Sequence, residues 1–494
     1  MSRRVVVAGH GMVGARFAEE VRRRDPDGRR VRLTVLGAEP RPAYNRVLLS
    51  TVLGGGLTAQ ATALHPPGWA ARHRVDLRTG VAVTAIDRAA RVVRCSDGTT
   101  ERYDELVLAT GSRAWLPPLE GLADERVVTF RDLDDCERIL ALARPGARFA
   151  VLGGGLLGCE AARGLAGRGV RVTVVHPASH LMERQLDAGA GEVLAATLAR
   201  LGIDVRLGFS AVAWEPDFGL RGADGELVAA DALVVSAGVR AEAGLAADTG
   251  IAVDRGVLVD DRLATSDDRV HAIGDCAQHP GTPAGLVQPG WEQAAVLADL
   301  LTGTDPAARY GGTRAVTRLK ARDVDLATVG DPAVFGVDGV DGADGAEVLR
   351  FADPHGGRYA TLALHGDRVV GGAMIGLPEA AASMIQYYDT GQPAPSDRLG
   401  LLFGRALPGA PETADPGRLP AAAVVCRCNS VTKGALVAAW RDGHTDVPAL
   451  ARATRATTGC GSCGDAVRGI CTWLAESDPP TQTALTPVPE EGAA

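Results

Sequence analysis

The fold of the first part of the chain is decided by residues 5–14, which have the sequence Val-Val-Val-Ala-Gly-His-Gly-Met-Val-Gly. Residues 4–8 predict a buried parallel strand, and residues 15–24 have helical character. A glycine-rich turn therefore joins a strand directly to a helix. This is the context in which the spacing Gly-x-Gly-x-x-Gly indicates a site for a dinucleotide.

Each glycine of this turn has its own physical task. Gly9 allows the tight turn, Gly11 lets the backbone approach a pyrophosphate, and Gly14 lets helix and strand pack closely. Met12 belongs to the same predicted cofactor-binding turn. The free N–H groups and the partial positive charge at the start of the helix favour the phosphates of a dinucleotide.

A second strand is predicted at Val31–Leu36, and an acid that binds the ribose is expected near its end. Gly37 and Ala38 occupy the nearest positions, so Glu39 is the first acid available. We assign the ribose contact to Glu39. The alternative is that Glu39 is a solvated glutamate of the loop.

The same pattern recurs about 140 residues later. Phe149–Leu152 predicts a strand, Glu160–Arg168 predicts a helix, and Val170–Val175 predicts a second strand. One glycine turn is weak evidence, but two complete strand–turn–helix units favour two dinucleotides in one protein. The predicted contacts to the second dinucleotide are made by Gly153, Gly155 and Gly158.

The end of the second strand in this repeat carries His176 instead of an acid. An acid at this place binds the ribose 2′-hydroxyl and repels a 2′-phosphate, whereas a histidine does neither strongly. Arg171 and His180 lie nearby in the sequence and could favour NADPH, although surface roles suit them equally well. His176 is assigned to the cofactor site, and the choice between NADH and NADPH stays open.

Two further strands end in small-residue turns, over residues 103–112 and 269–275. Together with the two glycine turns, they resemble the two-dinucleotide-domain flavoprotein oxidoreductases. That resemblance implies that the first turn holds FAD and the second holds NADH or NADPH. It also implies that Asp275 hydrogen-bonds the ribityl chain or pyrophosphate of FAD, that Thr110 and Gly111 are cofactor-binding residues, and that residues 291–294 approach the flavin ring.

A closer resemblance is carried by residues 37–50, Gly-Ala-Glu-Pro-Arg-Pro-Ala-Tyr-Asn-Arg-Val-Leu-Leu-Ser. They are similar to the FAD half of NAD(P)H-dependent assimilatory nitrite reductase large subunits and to electron-transfer subunits of assimilatory nitrate reductases. By this resemblance Arg46 contacts the pyrophosphate or adenosine side of FAD, and a surface arginine is the alternative. Residues 318–320 and 324–331 fit the third, interface domain of those proteins. The resemblance extends from residue 1 to about residue 475.

Two close cysteine pairs occur near the end of the sequence, and four thiolates hold either zinc or an iron–sulfur cluster. A helix is expected from Ser430 or Thr432 to about Arg441, a second at Val447–Thr454, and a third through Trp473. The arrangement resembles the small [2Fe–2S] domain of bacterioferritin-associated ferredoxins, and zinc remains the alternative. The predicted ligands are Cys426, Cys428, Cys460 and Cys463.

The fold class expected from these patterns is α/β, with two Rossmann-like dinucleotide-binding domains, an α+β interface domain and a small helical [2Fe–2S] domain. The prolines between residues 391 and 420 disfavour regular structure there and suggest a semi-extended linker. The expected boundaries are 1–112 with 240–303 for FAD, 113–239 for NAD(P)H, 304–390 for the interface domain, 391–420 for the linker, 421–477 for the [2Fe–2S] domain and 478–494 for a disordered tail.

Composition narrows the setting in which the protein works. A formal net charge of −8 offers no general basic field for nucleic acid. The sequence has no signal peptide pattern and no apolar stretch of about 18 residues, so neither secretion nor a membrane span is expected. Nine cysteines, four of them in a ligand pattern, fit a reducing cytoplasm. A homo-oligomer is compatible with these features.

No Cys-x₄-Cys follows the first glycine turn, so a disulfide-shuttling reductase is not expected. The resemblance and the chain length leave no room for a sirohaem domain, which favours an electron-donor subunit for a separate nitrate or nitrite reductase. The alternatives are a flavin and iron–sulfur subunit of an amine or opine dehydrogenase, or a reductase that docks on ferritin to mobilise iron. Hydride transfer needs no acid or base, so Lys320 and Glu292 are named only as residues near the flavin.

Overall fold

The computed structural model describes residues 2–280, 285–335, 345–404, 416–426, 431–457 and 463–478. The chain divides into two compact units, Met1–Ala410 and Pro411–Ala494. Ser430, Cys428 and Cys460 lie outside the described residues, as does the predicted tail after Asp478. Among the described helices, none is long and apolar enough to cross a bilayer.

The first segment of the larger unit opens with the predicted strand–helix–strand unit, after which two short helices lead into six consecutive strands. Helix α1 begins inside the glycine turn and not at residue 15, because Gly11 is its N-cap. The elements are β1 (Arg3–Ala8), α1 (Met12–Arg24), β2 (Val31–Gly37), α2 (Leu49–Leu53), α3 (Trp69–Arg72), β3 (Val75–Thr79), β4 (Val83–Asp87), β5 (Val92–Cys95), β6 (Thr100–Arg102), β7 (Glu105–Leu108) and β8 (Ser112–Ala114).

The second segment repeats this plan. Its glycine helix α5 begins four residues before the predicted start, since Gly155 is the N-cap, and it ends at Ala166 because Gly167 follows. The elements are β9 (Val127–Thr129), α4 (Leu133–Leu142), β10 (Arg148–Leu152), α5 (Leu156–Ala166), β11 (Arg171–His176), α6 (Ala188–Arg200), β12 (Ile203–Leu207), β13 (Ala211–Glu215), β14 (Gly219–Gly222), β15 (Leu227–Ala229), β16 (Ala232–Val235) and β17 (Val239–Ala241).

The chain then returns to the first sheet and completes it. Strand order there is β19–β7–β1–β2–β3, and in the second sheet it is β12–β11–β10–β16–β9, with parallel neighbours throughout. In each sheet the strand that precedes the glycine turn is central, so its carboxyl end opens onto the edge where such sheets bind ligands. The returning elements are α7 (Gly244–Ala247), β18 (Val257–Leu258), β19 (Val270–Ala272), β20 (Ala277–Gln278) and α8 (Val287–Thr302).

A third, antiparallel sheet of order β21–β22–β25–β24–β23 completes the larger unit. Buried and exposed residues alternate less clearly along its strands than in a sheet with one face in water. The reason is that helices cover one face of this sheet and the second dinucleotide fold covers the other. The elements are β21 (Val316–Arg318), β22 (Leu326–Val329), β23 (Glu347–Asp353), β24 (Arg358–His365), β25 (Arg368–Ile375), α9 (Pro378–Thr390) and α10 (Arg398–Leu402).

The predicted absence of regular structure over 391–420 is wrong for residues 398–402. Helix α10 forms there because Asp397 caps it, accepting from the N–H of Gly400 at 2.8 Å, and no proline interrupts it. Leu401 and Leu402 are buried against the third sheet. Part of the expected linker is therefore packed onto the larger unit.

The smaller unit is mainly helical, as predicted. Thr432 caps α11 through the N–H of Ala435, and the second helix has the expected bounds. The third helix continues four residues beyond Trp473. The elements are β26 (Val424–Cys426), β27 (Val431–Thr432), α11 (Lys433–Arg441), α12 (Val447–Thr454) and α13 (Gly464–Ser477). The predicted α/β class, with two parallel sheets, an α+β third part and a small helical unit, is confirmed.

Candidate functional site

The first glycine turn has the shape that a pyrophosphate requires. Gly9 has φ +117°, and a Cβ there would overlap the carbonyl oxygen of Ala109. A Cβ at Gly14 would overlap the carbonyl oxygen of Gly9. At Gly11, by contrast, an added Cβ would meet no atom of the described residues within 4 Å. Two glycines thus close the turn, and the middle one faces open space at the start of α1, where phosphates bind.

The second glycine turn repeats this geometry. Gly153 has φ +116°, and a Cβ there would overlap the carbonyl oxygen of Ser236. A Cβ at Gly158 would overlap the carbonyl oxygen of Gly153, whereas Gly155 has no atom of the described residues within 4 Å of that position. Both turns therefore fit a dinucleotide by the same test, and each does so at the centre of its own sheet.

Asp275 lies in a polar cluster beside the first turn. Its Oδ2 accepts hydrogen bonds from the Ser112 hydroxyl at 2.7 Å and from Nη2 of Arg131 at 2.9 Å. Arg131 also donates through Nε to the carbonyl oxygen of Ser112 at 3.2 Å. The sequence interpretation missed Arg131, although an arginine just after β9 at the carboxyl edge of a sheet was a usable signal. A cation here suits the phosphate or polyol part of a flavin cofactor.

Thr110 and Gly111 hydrogen-bond to the backbone of Glu242, where the chain crosses between the two folds. The Thr110 hydroxyl donates to the carbonyl oxygen of Glu242 at 2.6 Å, and the N–H of Glu242 donates to the carbonyl oxygen of Gly111 at 2.9 Å. Gly111 also has φ +73°, which glycine adopts without strain. These bonds join the two segments that cross between the folds, and direct cofactor contacts by the two residues stay a prediction.

Glu39, predicted to contact the ribose, and Arg46, predicted to contact the pyrophosphate or adenosine side of FAD, are ion-paired with each other. The Tyr44 hydroxyl donates to Oε2 of Glu39 at 2.9 Å, and the Arg46 guanidinium lies 5.1 Å from the centre of the Tyr44 ring. The carboxylate follows β2, at the end where a ribose is expected. The structure therefore brings both predicted residues to one edge and adds Tyr44 to them.

His10 stands inside the first glycine turn and has no hydrogen-bond partner for Nδ1 among the described residues. A Cβ at Gly37 would lie 2.7 Å from Cβ of His10, so the imidazole fills the space between the turn and the end of β2. Burial lowers the pKa of His10 to about 4, which keeps the ring neutral. A buried ring nitrogen without a partner is uncommon and is satisfied if a polar ligand binds beside it.

His176 occupies the matching space in the second fold. Its Nδ1 accepts from the N–H of Gly154 at 3.2 Å, and its Nε2 lies 2.9 Å from Oε2 of Glu183. A Cβ at Gly154 would lie 2.9 Å from Cγ of His176. Sequence reasoning found the histidine but missed Glu183, because the two residues are seven apart and only the fold of the intervening loop brings them together.

The two residues named near the flavin have structural partners. Glu292 accepts from Nε2 of Gln288 at 2.9 Å and from the Thr313 hydroxyl at 2.6 Å. The backbone N–H of Lys320 donates to Oε1 of Glu160 at 2.9 Å. Burial raises the pKa of Glu160, and the charge of Lys320 opposes that rise. Lys320 is thus tied to the glycine helix of the second fold.

The described part of the cysteine segment contains two of the four predicted ligands, both buried. Cys426 ends β26, and Cys463 is the N-cap of α13. The N–H of Thr457 donates to Sγ of Cys463 at 3.2 Å. An N–H donor and the start of a helix both stabilise a thiolate, which is the state that ligates metal. The two described cysteines therefore fit an anionic iron–sulfur or zinc centre.

Comparison with known protein families finds two matches along the chain. The profile of the pyridine nucleotide-disulphide oxidoreductase family matches residues 3–297. The profile of the BFD-like [2Fe-2S] binding domain matches residues 424–472. The second match favours [2Fe–2S] over zinc at the cysteine segment.

Curated relatives extend over nearly the whole chain. The nitrite reductase [NAD(P)H] of Bacillus subtilis is 33% identical over 96% of this chain and 58% of its own length. The assimilatory nitrate reductase electron transfer subunit of the same organism is 31% identical over 98% of this chain and 61% of its own. The chain thus spans about three-fifths of the length of these relatives. The predicted resemblance to both groups is confirmed.

Solved structures share the fold of the larger unit. The structure of putidaredoxin reductase in its covalent complex with putidaredoxin superposes with a TM-score of 0.71 and 24% identity. It covers 79% of this chain and 94% of that chain. At this identity the likeness concerns the fold alone.

Proposed function

The chain belongs to the pyridine nucleotide-disulphide oxidoreductase family, and from this premise we propose that it supplies electrons to a nitrate- or nitrite-reducing catalytic subunit. It is an NAD(P)H-dependent FAD oxidoreductase with a [2Fe–2S] domain. The terminal acceptor is our proposal, and its support is the name of one relative as an electron transfer subunit of nitrate reductase. We place the protein in the cytoplasm, where its thiols stay reduced.

The observation that carries the proposal is the presence of two complete glycine turns in one unit and a cysteine centre in another. When bound, FAD takes up a hydride from NAD(P)H and can release its electrons singly, and a [2Fe–2S] cluster carries one electron at a time. A chain with these three sites can accept two electrons at once from the nicotinamide nucleotide and pass them on one at a time through the cluster. Such a chain suits a one-electron acceptor on a partner.

The residues of the chain bind and orient these groups. We assign the FAD pyrophosphate to the start of α1 at Gly11, with the hydrogen-bonded pair of Asp275 and Arg131 beside it. We assign the nicotinamide nucleotide to the start of α5 at Gly155. Cys426, Cys428, Cys460 and Cys463 would hold the cluster, and Thr457 would place an N–H on one of its sulfur ligands.

Serine variants of two cysteines on the same segment test the outlet. In protein with both cofactors loaded, Cys463→Ser should abolish the electron paramagnetic resonance signal of the reduced cluster. It should also abolish NAD(P)H-dependent reduction of nitrate or nitrite by an added catalytic subunit. Reduction of ferricyanide should remain within about twofold of the parent, because the flavin site is untouched.

Cys471→Ser is the matched control, since Cys471 lies on α13 and its Sγ is 3.9 Å from the carbonyl oxygen of Thr445. It should keep both the signal and the partner activity. If the Cys463→Ser protein still supports the partner, the cluster is not the outlet. If the intact protein instead captures a ferritin and no reductase, the proposed acceptor is wrong.

A further inference from the structure

The loop after β11 folds back onto the second glycine turn. The N–H of Met182 donates to the carbonyl oxygen of Gly154 at 2.9 Å, and Met182 adopts φ +53° to make this return. Leu181 is fully buried, and its side chain lies where a Cβ of Gly154 would be. The fold of this loop therefore fixes the next residue, Glu183, beside the turn that is assigned to the nicotinamide nucleotide.

The hydrogen bonds of His176 determine which atom carries its proton. Because Nδ1 accepts from the N–H of Gly154, it has no hydrogen of its own. The proton of the neutral ring is then on Nε2, which donates to Oε2 of Glu183 at 2.9 Å. The imidazole is nearly buried, so it acts as a rigid spacer between the turn and the carboxylate. The side chain of Glu183 is 34% exposed and can reach a ligand.

Of the two cations that the sequence offered for a 2′-phosphate, one lies far from this place and the other is hydrogen-bonded. Arg171 begins β11 and lies five residues before His176, about 16 Å away at the rise of an extended strand. Both ring nitrogens of His180 have partners, the Ser179 hydroxyl at 3.2 Å and the carbonyl oxygen of Leu186 at 3.1 Å. Neither of the cations that could have favoured NADPH is therefore positioned to bind a 2′-phosphate.

Arg184 is the cation that remains in the loop between β11 and α6. Its side chain is 78% exposed, and its Nε lies 3.9 Å from Oε1 of Glu183. An arginine so exposed gains little from this pairing and is free to follow solvent or ligand. On the loop itself, Glu183 is thus the charge that His176 holds in place, and Arg184 is the exposed charge. Arg206 of β12, opposite Val175, has its Nε 4.0 Å from Oε1 of Glu226.

We propose that the second dinucleotide site selects NADH over NADPH and that Glu183, positioned by His176, is the residue that selects. The adenosine ribose of a dinucleotide lies at the end of the second strand, where a carboxylate accepts from the 2′-hydroxyl and repels a 2′-phosphate. At the end of β11 the usual acid is replaced by His176, and Glu183, seven residues later, supplies the carboxylate instead. The inference rests on the proposed function of this site.

Steady-state oxidation of NADH and NADPH with ferricyanide, in flavin-loaded protein, tests the selection. The parent should show a kcat/KM at least ~100-fold higher for NADH. Glu183→Gln should reduce this ratio at least ~10-fold, mainly through a lower KM for NADPH, because a like-charge contact is removed. His176→Phe fills the same space without holding the carboxylate, and it should lower the ratio in the same direction through a lower KM for NADPH.

Arg184→Gln is the matched control next in sequence, and it should leave the preference for NADH in place. The inference is overturned if the parent uses NADPH as well as NADH, or if Glu183→Gln changes both nucleotides equally. The inference is also overturned if the parent prefers NADPH and the single change Arg184→Gln abolishes its use of NADPH. Flavin absorbance of each variant shows that the fold is retained.

Equilibrium binding of NADH and NADPH, followed by nucleotide fluorescence, separates the two proposals. A protein that prefers NADH in binding but oxidises neither nucleotide would refute the proposed function and leave the selection standing. A protein that oxidises both nucleotides with equal kcat/KM would refute the selection and leave the proposed function standing.

Discussion

In the first dinucleotide fold the histidine belongs to the glycine turn, whereas in the second fold it ends the neighbouring strand. His10 faces Gly37 across the first site, and His176 faces Gly154 across the second. Each site thus holds one imidazole between turn and strand, and the position opposite is glycine. A side chain on both sides would overlap, since the added Cβ atoms would lie 2.7 Å from Cβ of His10 and 2.9 Å from Cγ of His176.

Whether the histidine lies in the turn or at the end of the strand changes which hydrogen bonds its imidazole makes. His10 leaves its buried Nδ1 without a hydrogen-bond partner among the described residues. His176 uses both nitrogens inside the protein and passes its influence to Glu183. The comparison teaches that one space can be filled from either side, and that the histidine at the end of the strand is the one that holds an acid.

The largest effect in this comparison is expected from the first glycine of each turn. Gly9→Ala adds a Cβ at φ +117° against a carbonyl oxygen, and Gly153→Ala does the same at φ +116°. Gly9→Ala should weaken FAD binding by ~100-fold or more, measured by flavin release on dilution. Gly153→Ala should keep FAD but lower kcat/KM for the nicotinamide nucleotide by a similar factor.

Gly169→Ala is the control for backbone strain alone. Gly169 has φ +77°, and an added Cβ there would meet no atom of the described residues within 4 Å. It should reduce stability by about 1 kcal/mol without affecting either cofactor. If Gly9→Ala and Gly153→Ala each disturb both cofactors equally, the two sites are not independent and the comparison does not hold.

The sequence was sufficient for the parts of this fold that follow from local rules. Two glycine turns, each after an apolar strand, predicted two dinucleotide folds, because a turn of that kind needs glycine at fixed spacings. The helix starts were predicted late by three and four residues at α1 and α5. The reason is that a glycine can be the N-cap, so the helix begins within the turn and not after it.

Contacts that depend on the path of a loop could not be predicted. Glu183 reaches His176 only because Met182 turns back to bond with Gly154. Glu39 and Arg46 were each predicted to contact FAD, and nothing in their spacing indicated that they pair with each other. Side-chain partners across loops require the backbone path, and that path is set by tertiary packing.

His10→Asn should change how the free energy of unfolding depends on pH. The expected effect is smaller than that of Gly9→Ala and larger than that of a change at Glu39. Since burial lowers the pKa of His10 from 6.5 to about 4, the folded state disfavours the proton that the unfolded state takes up. The stability linked to the neutral ring is present above pH 6.5 and is lost as pH falls toward 4. Between pH 7 and 4.5 the parent should lose about 2–3 kcal/mol more than the variant.

Urea unfolding at both pH values, with flavin in excess, measures this difference. His355→Asn removes an exposed histidine between β23 and β24 and should follow the parent. A parent and a His10→Asn variant with identical pH dependence would mean that the pKa of His10 is the same in the folded and the unfolded protein. The contrast between an unpaired and a paired imidazole would then be wrong.

The smallest effect is expected at Glu39, the acid of the first fold. Its side chain is 41% exposed, and Gln can still accept from the Tyr44 hydroxyl, so Glu39→Gln removes mainly the ion pair with Arg46. Exposed ion pairs contribute little, and the Kd for FAD should rise only ~3- to 10-fold by fluorescence titration. The preference between NADH and NADPH should not change, because Glu39 lies in the first fold and the nicotinamide nucleotide is assigned to the second. If Glu39→Gln releases FAD as completely as Gly9→Ala does, the first fold depends on its acid as much as on its turn. The two folds would then differ in more than the side that carries the histidine.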